Sequence, residues 1–246
     1  MNAADLFRAG KLSEAIQAIG AELRDHPTDT KRRIFLFELL CFAGELDRAA
    51  KHLGVLSSEG ADTEIGALLY RSALTAERQR EAAFQTGEFP AGTTAPVSAG
   101  TLNGRPFQTI EDADPRIGAR LEVYVAGEYL LLPFSYIATL HIDPPRYLRD
   151  LLWAPARITA APGVKTADFG EVLVPVLSPF SWKHSDDQVR LGRATDWQKV
   201  NDQDIPSGQK LLILDGEEAI PYLEIRHLEF AVPEGAPAGD AIPVTA

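Results

Sequence analysis

The stretch Phe7-Arg-Ala-Gly10-Lys-Leu12-Ser-Glu-Ala15 returns further along the chain as Cys41-Phe-Ala-Gly44-Glu-Leu46-Asp-Arg-Ala49. Gly10 and Gly44 stand 34 residues apart, the period of tetratricopeptide-like (TPR-like) helix pairs. Leu12/Leu46, Ala15/Ala49 and Ile19/Leu53 keep the same register. Each glycine suits the turn that ends one helix, where a Cβ would clash. Ser13 and Asp47 are placed to cap the second helix of each pair. Ala15 and Ala49 are small enough for paired helices to pack closely, and Pro27 stops the helix before it. With apolar residues recurring at helical spacing, as in Leu12, Ala15, Ile16 and Ile19, helices are predicted over about 2–9, 12–25, 28–43, 46–57 and 62–84. Two repeats are fewer than a solenoid needs to bury its own core. The fifth helix is therefore read as a closing cap, burying Ile65, Leu68, Leu69 and Ala73 on one face.

Working outward, residues 87–101 turn rich in Gly, Pro, Ser and Thr, the composition of a linker. Strand signals follow. Asn103-Gly104 marks a turn, and Arg120–Val125 and Tyr129–Leu132 flank Ala126-Gly127-Glu128 as a hairpin. Tyr136–Ile142, Arg157–Ala160, Glu171–Leu177, Gln188–Leu191 and Lys210–Leu214 continue the β pattern, with a turn at Asp215-Gly216 and a short helix at Pro145–Leu151. Leu223–Phe230 fits a strand or a helix. The expected architecture is α+β: a TPR-like helical domain at 1–86, a linker at 87–101, a β-rich domain at 102–231 and a loose tail at 232–246.

Apolar residues make up 45% of the 246-residue chain, enough for a packed core. The formal net charge of −11 argues against binding a phosphate backbone and is what solubility alone would favour. A single cysteine, Cys41, permits no intramolecular disulfide and lies in an apolar run, where a small buried thiol is expected. No stretch reaches the roughly eighteen apolar residues of a membrane span. The first residues show no secretory h-region. A cytoplasmic protein is expected, with no membrane insertion.

Chemistry is sparse. There is no phosphate loop, dinucleotide fingerprint or nucleophile elbow, and no cofactor is implied. The five histidines are scattered. His184-Ser-Asp186-Asp187 has the ingredients of a divalent-cation site, and Glu111, Asp112 and Asp114 those of an acid–base or cation site. Turn capping accounts for both clusters as well. Two denser stretches combine Arg, Asp and Trp: Arg149-Asp150-Leu-Leu-Trp153, and Leu191-Gly-Arg193-Ala-Thr-Asp196-Trp197. Arg149, Asp150, Trp153, Arg193, Asp196 and Trp197 are thus candidates for a partner-facing surface, since Arg and Trp dominate binding hot spots. The competing reading is structural: an Arg–Asp pair pins a loop while Trp fills the core.

These stretches resemble the ImpE family, also called TagJ or SciE, accessory proteins of bacterial type VI secretion. The likeness rests on Asp112-Ala-Asp114, Glu122, Gly127 with Tyr129 and Pro133, Arg149 to Trp153 with Pro155-Ala156, Pro175, and above all Leu191-Gly-Arg-Ala-Thr-Asp-Trp197. The start, with Gly10-Lys-Leu-Ser-Glu-Ala15 and Phe35 to Gly44, is similar as well. Where family members carry a Tyr-Pro-Gly-Ser-like loop, this chain reads Leu177-Ser-Pro-Phe-Ser-Trp-Lys-His184. The resemblance implies a non-enzymatic adaptor that binds the small sheath subunit (TssB-like), and in some systems the ClpV-type ATPase, to modulate sheath disassembly. TPR-like helix pairs commonly present a groove for a partner helix. Two other readings compete: a metal-dependent hydrolase using Asp112, Asp114 and His184, and a self-assembling scaffold.

Overall fold

The structure, a computed structural model, describes residues 1–57, 61–89, 99–164 and 169–231, with only the backbone over 61–65. The core of the expected linker (90–98) and the whole of the expected tail (232–246) lie outside these residues, as does the side chain of Ile65. The chain is mixed helix and sheet, an α+β fold. Helices α1 (Ala3–Arg8), α2 (Leu12–Asp25), α3 (Thr30–Phe42), α4 (Leu46–Leu56) and α5 (Ala61–Thr86) come first, each packing on the next. Among the described residues no helix is long and apolar enough to cross a membrane.

Gly10 and Gly44 end α1 and α3 at φ +75° and +70°, the left-handed conformation that the repeat predicts. The second constraint on Gly44 was not visible in sequence: a Cβ there would sit 2.3 Å from the Trp182 ring. The expected caps differ. Ser13 and Asp47 fall inside the first turns of α2 and α4, and the N-cap positions are Lys11 and Glu45. The amide of Leu12 is instead satisfied from far away, by the Asp187 carboxylate at 2.7 Å. Ser13 accepts from Arg190 at 3.4 Å, and Asp47 pairs with Arg78 at 2.9 Å. Helix α5 also turns a different face inward than expected. Leu68 and Leu69 are exposed, and the buried face runs through Ala73, Ala76, Arg80, Ala83 and Phe84. That face meets both α4 and the sheet.

The strands form an antiparallel eight-stranded sheet, a three-stranded sheet and a separate two-stranded ribbon. The large sheet has the order β2 (Arg105–Phe107), β1 (Gly100–Leu102), β13 (His227–Phe230), β6 (Ile137–Ile142), β7 (Trp153–Ala160), β8 (Gly170–Pro175), β4 (Arg120–Val125), β5 (Glu128–Pro133). The small sheet is β12 (Glu218–Pro221), β11 (Leu211–Leu214), β3 (Ile110–Asp112), and the ribbon is β9 (Thr195–Val200) with β10 (Gln203–Gly208). Asn103-Gly104 and Ala126-Gly127 make the two-residue turns expected of them, with positive φ at both positions. Gln188–Leu191, expected as a strand, is a short helix instead, α6 (Asp187–Arg190), because Asp186 caps it by accepting the Gln188 amide at 2.8 Å. Leu223–Phe230 resolves into a single 3-10 turn ending at Glu224, followed by β13.

The two-residue period of β4 and β5 sorts their side chains between two cores. Leu121, Val123 and Leu132 point into a core made wholly of β-segment residues, whereas Tyr124, Tyr129 and Leu131 join the helices in a shared core. Glu122 also points to the helical side, and there it is buried completely. Arg80 of α5 grips it with two bonds, Nε to Oε1 at 2.7 Å and Nη2 to Oε2 at 2.9 Å. Lys210 donates to Glu122 and lies 2.8 Å from Asp112. Tyr129 donates to Glu122 at 2.9 Å and Tyr222 to Asp112 at 2.8 Å. Arg80 also reaches the Leu177 carbonyl at 2.8 Å. Two buried cations thus meet two buried carboxylates. Burial alone would raise the Glu122 pKa, but the Arg80 and Lys210 charges outweigh it and hold it at about 2. Asp112 goes the other way, because burial dominates over its single cation.

Replacing Glu122 by Gln removes the one carboxylate that buried Arg80 and Lys210 share, and should lower the unfolding free energy by about 3–5 kcal/mol near neutrality. The folded pKa lies below the ordinary value of 4.5. The stabilisation from Glu122 is therefore present above that value and lost as pH falls from it towards the folded one. Urea unfolding at both ends of this window should show the gap between wild type and Glu122→Gln closing at the acid end; a pH-independent gap would contradict the assignment.

Candidate partner interface

Helix α3 is apolar nearly all round, Ile34-Phe-Leu-Phe-Glu38-Leu-Leu-Cys-Phe42, and sits between α2 and α4. With α4, α5 and the turn Leu148–Leu151 it frames an open groove of about 170 Å³. Ile34, Phe37, Leu53, Leu56 and Tyr70 line the groove, and Arg149 forms a polar wall. Seven large apolar side chains are exposed among the described residues, and four of them, Val55, Leu68, Leu69 and Tyr147, lie on or beside these framing elements. Exposed apolar area gathered around a concave apolar surface is the physical signature of an interaction site.

The Arg–Asp–Trp stretches divide between surface and seam. Arg149 lines the groove, donating to the Tyr70 hydroxyl at 2.5 Å and to Glu38 at 3.2 Å, with its guanidinium 4.2 Å from the Tyr147 ring centroid. Glu38, the one charge in the apolar run, is buried, and burial raises its pKa against the pull of Arg149. Asp150 and Trp153, expected as partner-facing, are turned inward. Asp150 accepts the amides of Arg146 and Tyr147 at 2.8 and 2.9 Å and so pins the loop. Trp153, only 2% exposed, stacks on Tyr70 and donates to Glu77 of α5 at 3.0 Å. Their polar and apolar valences are spent within the chain.

In the second stretch, Arg193 lies over the Phe7 ring and donates to the carbonyls of Phe7 and Arg8 at 2.8 and 3.1 Å. It thereby closes the C-terminal end of α1, whose last carbonyls lack helical partners. Asp196 bonds His184 at 3.0 Å, and Trp197 is 44% exposed on β9. Of the six residues, Arg149, Arg193, Asp196 and Trp197 reach the surface.

The proposed hydrolase residues are each neutralised separately. Asp112 belongs to the Lys210 pair, Asp114 takes the Arg116 guanidinium, and His184 takes Asp196. Asp186 caps α6, and Asp187 serves Leu12 and Arg190. Among the described residues no group of three His, Cys, Asp or Glu is arranged to hold a metal ion. Cys41 is buried, which raises its pKa well above the ordinary value and leaves its thiol unreactive. Sequence reasoning missed Arg80 and Lys210 altogether. The available signal was an arginine on an otherwise small, apolar helix face (Ala73, Ala76, Ala83) and a lysine opening the apolar run Leu211–Leu214.

Fold and site together define an α+β protein with a helical layer, in which buried charges pair internally and an apolar groove is open at the surface. The chain belongs to the ImpE family: the ImpE protein family model matches residues 104–229. It is 35% identical, over 94% of its length and 91% of the relative's, to the type VI secretion system accessory component TagJ of Pseudomonas aeruginosa. A crystal structure of a Vibrio parahaemolyticus protein shares the fold, with a TM-score of 0.79 and 22% identity over 93% of this chain and 97% of that one.

The contrast between inward and outward tryptophans is measurable. Trp153→Ala should cost about 3–5 kcal/mol in urea unfolding, and Trp197→Ala no more than about 0.5 kcal/mol. Equal losses would contradict the burial assigned to each.

Proposed function

We propose that the protein is a non-enzymatic adaptor of a type VI secretion system, acting in the cytoplasm. Its TPR-like helical domain at 1–86 would receive the TssB-like small sheath subunit, and its β-rich domain at 102–231 would fix the geometry of that domain. The observation that carries this reading is the apolar groove over α3, α4 and α5, on helices that also expose Val55, Leu68 and Leu69. A partner helix laying its apolar face there would cover apolar area that the chain leaves in water. Arg149 at the groove wall favours an acidic residue on that helix. Membership of the ImpE family and the name of the Pseudomonas relative support the secretion context. The ClpV-type ATPase is the second partner, joined through the adaptor so that contracted sheath is passed to disassembly.

Gly66 lines the groove, and a Cβ built on it meets nothing within 4 Å. Gly66→Trp therefore plugs the groove from the second turn of α5 without disturbing the core. Calorimetric titration of the full chain with the sheath subunit should show saturable binding, weakened about tenfold or more in the plugged variant. Undiminished binding by Gly66→Trp would move the site elsewhere. Absence of binding to both sheath subunit and ATPase would end the adaptor reading.

A further inference from the structure

The ribbon β9–β10 pairs with no other strand among the described residues, yet it is not loose. Its root is tied down by the stretch that most resembles the family. Thr195 Oγ1 donates to the Gln209 carbonyl at 2.7 Å, Asp196 holds His184, and the Gly208 amide donates to Ser181 at 2.7 Å. Gly208, at φ +97°, is required there, since a Cβ would lie 2.1 Å from the Ala194 carbonyl oxygen. Gln198 and Ile205 face each other across the ribbon, and Ser207 continues the same face. That face and the turn Pro179–His184 enclose a cleft of about 190 Å³.

The cleft has an apolar body and a cationic wall. Phe180, Ile205 and Pro206 supply the first; Arg116 and Lys183 supply the second, in a protein whose net charge is −11. The charges can be accounted for one by one. Arg116 spends Nε and Nη2 on Asp114, leaving Nη1 without a hydrogen-bond partner among the described residues. His184 accepts the Asp186 amide on Nδ1 at 3.0 Å, which puts its proton on Nε2, where Asp196 accepts it. Glu81, which feels the charge of Lys183, is bonded to the Trp182 indole at 2.8 Å. The Lys183 ammonium lies on the Phe180 and Trp182 rings, 4.2 and 5.1 Å from their centroids, and pairs with no carboxylate among the described residues. Phe180 itself is held at φ +61°, a conformation unfavourable for a non-glycine residue and one that gathers at ligand sites.

One uncompensated ammonium, one open guanidinium edge and an apolar trough favour a single negative charge on a short carbon stem. Asp114 and Asp196 nearby disfavour a doubly charged phosphate. We propose that the cleft beneath the β9–β10 ribbon is a carboxylate-binding site, taking either a free short-chain monocarboxylate or a glutamate side chain of a peptide. The site is separate from the groove over α3–α5 and does not depend on what that groove binds.

Two-dimensional ¹H–¹⁵N NMR of the full chain tests it, with four titrants: butyrate, an acetylated and amidated glutamate peptide, its glutamine counterpart, and inorganic phosphate. Saturable shifts at Phe180–His184, Ile205–Ser207 and the Trp182 indole are expected with butyrate or the glutamate peptide, and whichever binds tighter identifies the source. Lys183 is exposed and forms no ion pair among the described residues, so Lys183→Met should fold normally and bind about tenfold or more weakly, with Lys183→Arg restoring affinity. Any of four results overturns the proposal: no localised shift with either carboxylate, equal shifts with the glutamine peptide, stronger shifts with phosphate, or unchanged affinity in Lys183→Met.

Discussion

The two-pronged grip of Arg80 on Glu122 is the contact on which the arrangement of the molecule depends. Each residue sits on a buried face that would otherwise read as apolar, and neither charge reaches water. Removing such charges from solvent costs several kcal/mol apiece, recovered only when geometry and hydrogen bonding are nearly complete. The grip meets that condition through Lys210, Tyr129 and the Leu177 carbonyl. Its effect is to fix register more than to add net stability. Were α5 to slide by one turn along the sheet, Arg80 would leave Glu122 and Lys210 with one cation for two carboxylates. A hydrophobic seam alone would tolerate that slip far better.

The same seam explains why α5 is so polar for a helix with a buried face. Glu77 accepts from Tyr124 at 2.5 Å and from Trp153 at 3.0 Å, and Glu81 accepts from Trp182 at 2.8 Å. Three aromatic side chains of the β segment therefore present a polar edge to the helix while their rings fill the interface. Burial pushes up the Glu81 pKa, and the Trp182 bond opposes that rise. The helical layer carries the groove and the β layer sets where α5 lies, so the groove's shape is controlled from the sheet side through these bonds.

What was legible in sequence follows the local physics. The 34-residue repeat and the apolar spacing together located all five helices to within about two residues, because glycine ends and apolar periodicity are local signals. The Asn103-Gly104 and Ala126-Gly127 turns were equally plain. The ribbon β9–β10 was not: Thr195–Val200 is exposed along nearly all its length, so no alternation of apolar and polar residues announces it. Nor was the inward face of α5, since Leu68 and Leu69 look like core residues until the sheet claims the opposite side. Trp153 and Trp197 sit in similar company in the sequence and have opposite fates, decided by Glu77 and Tyr70, which lie more than seventy residues upstream of Trp153. The groove was legible as a kind of surface but not as a place.

Gly44 carries a further implication. It ends α3 in a left-handed turn and at the same time lies flat beneath the Trp182 ring. In a free-standing helical repeat that position answers only to the turn, and other residues with a tolerance for positive φ can serve. Here it answers to two masters on different halves of the chain. The helical layer is consequently not an interchangeable part: a repeat borrowed from another protein would have to bring its own bare backbone to meet this indole, and its own arginine to meet this glutamate. Recombination between α5 and β1 would join segments that do not fit, so the two are bound to diversify together.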